Sequence, residues 1–103
     1  MAEYFDHTKR QWEEVYESVF VSDLHRYDGG GGAALFRMSA GASMPEHGHP
    51  TGEHGYVISG TGRFGERTLH AGDAFWMDAG DRHDVHAVTD LVFFAASLPR
   101  STA

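Results

Sequence analysis

Apolar residues fall along this chain in short blocks, and turn residues cut the blocks apart. "VYESVFVSDLHRY", residues 15–27, is rich in β-branched and aromatic side chains and predicts a strand. "DGGGG" at 28–32 is a flexible turn, "AALFRMSAGA" at 33–42 resumes as a strand, and "SMPEHGH" at 43–49 is a further extended piece. In His49-Pro50-Thr51-Gly52 the proline takes the second position and the glycine the fourth, which suits a type I turn. The chain is therefore expected to reverse there, with "EHGYVIS" at 53–59 as the returning neighbour strand. "ERTLHAGD" approaches the strand "AFWM" at 74–77, "DAGDR" turns, "HDVHAV" extends, "TD" turns and "LVFFAAS" ends the series. Strands of roughly 5 to 7 residues with turns every 8 to 12 indicate an all-β sandwich or barrel. Phe36, Met38, Val57, Phe75, Met77, Val85, Val92 and Phe94 are the expected core. Arg37, between two inward residues, should turn away from the interior; the opposite parity would make it a clamp for an anionic substrate. Tyr56 and Trp76 are expected to face solvent or a partner subunit. The first 14 residues are polar, with one helical turn after Asp6 and Trp12 as an anchor.

Composition narrows the function. A chain of 103 residues forms one domain with a single core. Its net charge of −7 argues against a nucleic-acid partner, which needs clustered Lys and Arg. With 0 cysteines, neither a disulfide framework nor a thiolate metal site is possible. No apolar run approaches the roughly 20 residues of a membrane span, and the N-terminus lacks the pattern of a signal peptide. A cytoplasmic protein that avoids membranes is the expectation.

"GTGRFG" at 60–65 matches the three-glycine pattern of dinucleotide-binding loops. That motif must open a helix whose N-terminus receives a pyrophosphate, and no helical pattern or βαβ unit follows it here. The glycines are expected to let a hairpin turn instead. Histidine is the informative residue: of 8 in the chain, 6 lie between positions 47 and 86. Side chains two apart on a strand share a face about 7 Å apart, so His47 and His49 project together. The Pro50–Gly52 turn folds Glu53 back beside them. Two imidazoles and a carboxylate form a facial set that leaves positions open on an octahedral metal. His83 follows a turn and is the candidate fourth donor. His54 should point to the opposite face; His70 should be exposed. His86, three residues after His83, also lies on the other face of a straight strand unless a bulge re-aims it.

These residues resemble the cupin superfamily. Gly41, His47, His49, Glu53 and Gly60 reproduce the spacing of its first motif, and Gly72, Asp78, Gly80, His83 and Ala87 that of its second. Asp78 stands where the family has proline and Ala87 where it has asparagine; neither position is a metal ligand in the family. The resemblance covers residues 35–97. It implies one cupin β-barrel (a jelly roll of two antiparallel sheets) over residues 1–103, with a barrel core at 35–97 and an N-terminal extension at 1–14. It also implies a divalent metal, iron, manganese, nickel, zinc or copper, held by His47, His49, Glu53 and His83. Small cupins pair through sheet faces, so a homodimer is expected.

Such a site suits a dioxygenase-like oxidoreductase acting on a small chelating organic molecule. A second reading is a non-oxidative isomerase or lyase of a sugar or small acid. It requires a general base near the metal, for which His86 is the candidate catalytic residue. A third is a zinc-binding sensing or regulatory module, because "MPEHGHPTGEHGYVISG" is similar to the cupin domains of ChrR-type anti-sigma factors.

Overall fold

The alternation along the chain becomes ten strands in the computed structural model, which describes residues 1–99. They are β1 (Glu13–Tyr16), β2 (Val19–Arg26), β3 (Gly32–Met38), β4 (Ser43–Gly48), β5 (Glu53–Ser59), β6 (Thr61–Phe64), β7 (Arg67–His70), β8 (Ala74–Met77), β9 (Arg82–Ala87) and β10 (Leu91–Ser97). A 3-10 turn at His7–Lys9, capped by the Asp6 side chain accepting from the Thr8 N–H, precedes them. A six-stranded sheet runs β1-β2-β3-β10-β5-β8 and a four-stranded sheet runs β4-β9-β6-β7; every pairing is antiparallel. The fold is all-β, as the turn spacing predicts. Among the described residues no helix is long and apolar enough to cross a membrane.

The core lies between the sheets. The larger one contributes Val19, Met38, Val57, Leu91, Phe93 and Ala95; the smaller contributes Met44, Phe64, Val85 and Ala87. Each large side chain buried there stabilises the barrel by about 1.5–3 kcal/mol. Phe36 and Phe75 pack against this cluster, and Met77 is also buried. Phe36 stacks on Phe93 with ring centroids 4.7 Å apart.

Three expectations need correction. Residues 15–27 are a hairpin, because Ser18 takes a positive φ of 59° and turns the chain between β1 and β2. Val92 and Phe94 are half-buried on the outer face, while Leu91, Phe93 and Ala95 point inward. A strand apolar on both faces carries no parity signal in its sequence. The turn at 49–52 does not join neighbouring strands: β4 belongs to the four-stranded sheet and β5 to the six-stranded one. It carries the chain from one wall of the barrel to the other. "GTGRFG" is the strand β6 held between Gly60 and Gly65, both at positive φ.

Arg37 turns outward, its guanidinium 4.6 Å from the Trp12 ring centroid and 4.8 Å from that of Phe20. Those cation–π contacts fasten the N-terminal extension to the outer sheet face.

Candidate metal centre

β4 and β9 are antiparallel neighbours, and the pairing sets His47 directly opposite His83. Their ring centroids lie 5.0 Å apart. A bulge between Met44 and His47 lets both of these side chains reach the interior although they are three positions apart. Glu53 begins β5 on the opposite wall, 6 % exposed. Nitrogen and oxygen atoms of His47, Glu53 and His83 all lie within 4.8 Å of one another. Donors on opposite sides of a first-row ion, each about 2.1 Å away, stand about 4 Å apart, so the cluster has the scale of a metal site. His49 sits on the crossing turn, with its Nε2 2.7 Å from Glu53 Oε2 and its ring centroid 6.1 Å from that of His47. Of the four residues singled out from the sequence, His47, Glu53 and His83 gather in one place with His49 beside Glu53, and the crossing turn brings in Glu53 from the facing sheet.

The donor chemistry fits a cation. His47 Nδ1 lies 3.1 Å from the Pro45 carbonyl oxygen, which can only accept, so Nδ1 carries the proton and Nε2 keeps the lone pair. Burial, then the neighbouring His47, holds the His83 imidazole down at about 4, which keeps it neutral and able to donate at neutral pH. Burial pushes the Glu53 carboxyl up, against the opposing pull of His49 and His47. A buried carboxylate among imidazoles is a costly arrangement that a divalent ion stabilises. The His-His-Glu cluster can thus hold a metal ion.

His83 lies between Phe64 and Phe75, with centroids at 6.0 and 5.3 Å, and these three side chains line a cavity of about 300 Å³. Gly55 makes this possible, since a methyl group there would overlap the Phe75 ring. On the other side a cavity of about 220 Å³ reaches His49 and Glu53, walled by Val21, Asp23, Arg26 and Phe36. A larger hollow of about 620 Å³ lies between the N-terminal segment and β2. It contains none of the four candidate donors and its walls are mostly exposed chain, so it is not the chemical centre.

Three other histidines of the 47–86 stretch lie elsewhere. His54 is on the outer face against Trp76, centroids 4.6 Å apart. His70 is exposed, with its Nδ1 3.1 Å from Thr61 Oγ1. His86 faces away from Val85 and Ala87, its Nδ1 2.7 Å from Ser43 Oγ, so β9 does not bring it to the cluster. Asp78, in the proline position, fastens its turn by side-chain bonds: it accepts from Trp76 Nε1 at 2.8 Å, and its N–H donates to Asp81 at 3.0 Å. Ala87 is fully buried and exchanges backbone hydrogen bonds with the 41–42 turn.

Residues 34–96 match the Cupin domain family. No curated protein is similar enough in sequence to match. Among solved structures, KdgF from Halomonas sp. superposes with a TM-score of 0.80 at 22% identity over 98% of this chain and 97% of that one. An acetylacetone dioxygenase from Acinetobacter johnsonii gives 0.84 at 17% identity, over 95% of this chain and 74% of that one. ChrR of Rhodobacter sphaeroides, in complex with SigE, gives 0.78 at 25% identity over 90% of this chain, which spans about half (51%) of the matched one. Both histidine-bearing motifs fall inside the matched residues, their strands β4 and β9 paired in one wall of the barrel, and the chain belongs to the cupin family.

Proposed function

We propose that this cupin is a metal-dependent oxidoreductase of dioxygenase type, acting on a small chelating organic molecule. The observation that carries the reading is the convergence of His47, Glu53 and His83, with His49 beside them, where His49 and Glu53 border a small cavity. These four side chains would hold the ion and leave two positions on an octahedral one. When bound, a redox-active ion supplies the electron chemistry and the Lewis acidity. The chain's own part is to hold the donors, keep His83 neutral and line the site with the aromatic side chains Phe36, Phe64 and Phe75. The acetylacetone dioxygenase of similar fold supports this reading by analogy of architecture. Iron, manganese, nickel, zinc and copper all suit such donors, and iron is the ion we propose for oxidative chemistry.

The non-oxidative reading, an isomerase or lyase, needs a general base beside the substrate, and the outward position of His86 counts against it. A regulatory reading, a zinc-binding sensor, is favoured by the 25% identity to ChrR. We further propose that the protein is a cytoplasmic homodimer that meets neither membrane nor nucleic acid. Its outer sheet face, with Tyr56, Ile58 and Trp76 about half exposed, supports the pairing, and its net charge of −7 speaks against nucleic acid.

Elemental analysis of protein purified without chelators or a histidine tag, followed by oxygen-electrode measurements on a panel of dicarbonyl, enol and phenolic compounds, tests this. Iron with substrate-dependent oxygen uptake is expected. Turnover without oxygen, with manganese, nickel or zinc bound, would establish the isomerase or lyase reading. Tight zinc without turnover would establish the regulatory one.

A further inference from the structure

Charged side chains stand at the mouth of the cavity, and a single irregularity in β2 puts them there. The register of β2 against β3 pairs Asp23 with Ala34, His25 with Ala33 and Arg26 with Gly32, so one residue is extra between Asp23 and His25. Without that bulge, positions 23 and 26 would face opposite sides. With it, both lie on the side of Ala34, which pairs across β3 and β10 with the inward Ala95. Asp23 and Arg26 therefore line the same cavity as His49 and Glu53.

Small residues create that space. Ala34, Ala95 and Gly32 offer almost no side chain at its inner wall, and a methyl group on Gly32 would collide with the His25 carbonyl. The volume of about 220 Å³ equals about seven waters at roughly 30 Å³ each, so it has room for a molecule of metabolite size. One end of such a molecule can lie against the metal cluster while the other lies at the Asp23–Arg26 rim.

Arg26 is the cation suited to meet that outer end. Its Nη1 makes one long contact, 3.3 Å, to Asp23 Oδ2, and the side chain is 70% exposed. An exposed pair of this kind contributes little stability, so a better-placed carboxylate displaces it at small cost. A guanidinium presents two parallel N–H groups to a carboxylate, which a long single contact leaves unused. The other polar ring at the rim is His25, whose Nδ1 lies 2.7 Å from Glu3 Oε1 and is occupied by it. Arg37, which strand alternation turns away from the interior, is committed to Trp12 and Phe20 on the outer face.

We propose that Arg26 is a specificity residue that selects chelating substrates carrying a second, distal carboxylate, with Asp23 as the competing internal anion. This rests on the reading of the histidine cluster as a metal site, and it names the substrate class of that site.

The test uses two probes of nearly equal shape, 2-oxobutanoate and 2-oxobutanedioate, which share a chelating 2-oxo acid and differ in the distal carboxylate. The full chain is loaded with Co(II), and the change in its visible d–d bands reports each probe's affinity. The dicarboxylate is expected to bind about tenfold tighter or more. Arg26→Gln should reduce that preference to within about twofold while leaving 2-oxobutanoate unchanged, and Asp23→Asn should enlarge it. Co(II) bands with no preference in the wild type, or with a preference that Arg26→Gln leaves intact, would overturn the role of Arg26 alone. Failure of the chain to take up Co(II) would overturn the metal reading and this inference with it.

Discussion

His49 and His54 are five positions apart, yet one borders the cavity and the other lies on Trp76 outside the barrel. Removing them should have opposite consequences. His49→Ala is expected to weaken metal binding beyond the roughly 10–100-fold that loss of an outer-shell partner costs, and His54→Ala to leave it near normal. Calorimetric metal titration checks both, and equal losses would reverse the assignment of faces. A pH dependence follows from His83, whose folded value of about 4 lies below the usual 6.5. Between those values the unfolded chain holds a proton on residue 83 that the folded chain does not, so acidification favours unfolding over that window. In chelator-treated protein, Tm should fall from pH 7 to 4.5 more steeply than in His83→Gln. Differential scanning calorimetry would show it. Glu53, pushed up by burial, works in the opposite sense, so the comparison with His83→Gln isolates the histidine.

Strands and turns transmit such effects to their neighbours. Gly55 of β5 lies beneath the Phe75 ring of β8, and Phe75 in turn touches His83. Gly55→Val should cost about 1–3 kcal/mol in urea denaturation by overpacking and should also weaken metal binding. Gly72→Ala strains a backbone at φ 93° but meets open space, so its effect should stop at stability. Much of this architecture is legible in the sequence, because β4, β5, β8, β9 and β10 are each bounded by turn residues with a mechanism. The clustering of His47, Glu53 and His83 is legible too, through their spacing between glycines that turn the chain at positive φ. Elsewhere the physics leaves no local trace. Ser18 turns the chain without glycine or proline. "LVFFAAS" is apolar on both faces, so alternation cannot say that Phe93 is inside and Phe94 outside. The bulges at Met44–His47 and Asp23–His25 arise from pairing across the sheet, so the shared face of Asp23 and Arg26 is invisible along the chain.

At the scale of the molecule, the outer face of the larger sheet is the surface most in need of a partner. Six strands about 4.8 Å apart and about six residues long on average present roughly 570 Å² in projection, somewhat less than the roughly 800 Å² per subunit of a standard interface. Ile58→Glu, at a position 48% exposed, should convert a dimer to a monomer in size-exclusion chromatography with light scattering, leaving the metal site untouched. An unchanged mass would place the contact elsewhere. The interior has a different consequence. His47 and His83 belong to one sheet and Glu53 to the other, so a cation gripped by all three is a rivet through both walls. Loading it should raise the melting temperature as its concentration passes the dissociation constant, by the mass-action rule for any ligand of the native state. The same coupling turns a simple melt into a reporter. A compound that tightens the grip lifts the melt further, and one that strips the ion lets the walls slacken, before any reaction is known.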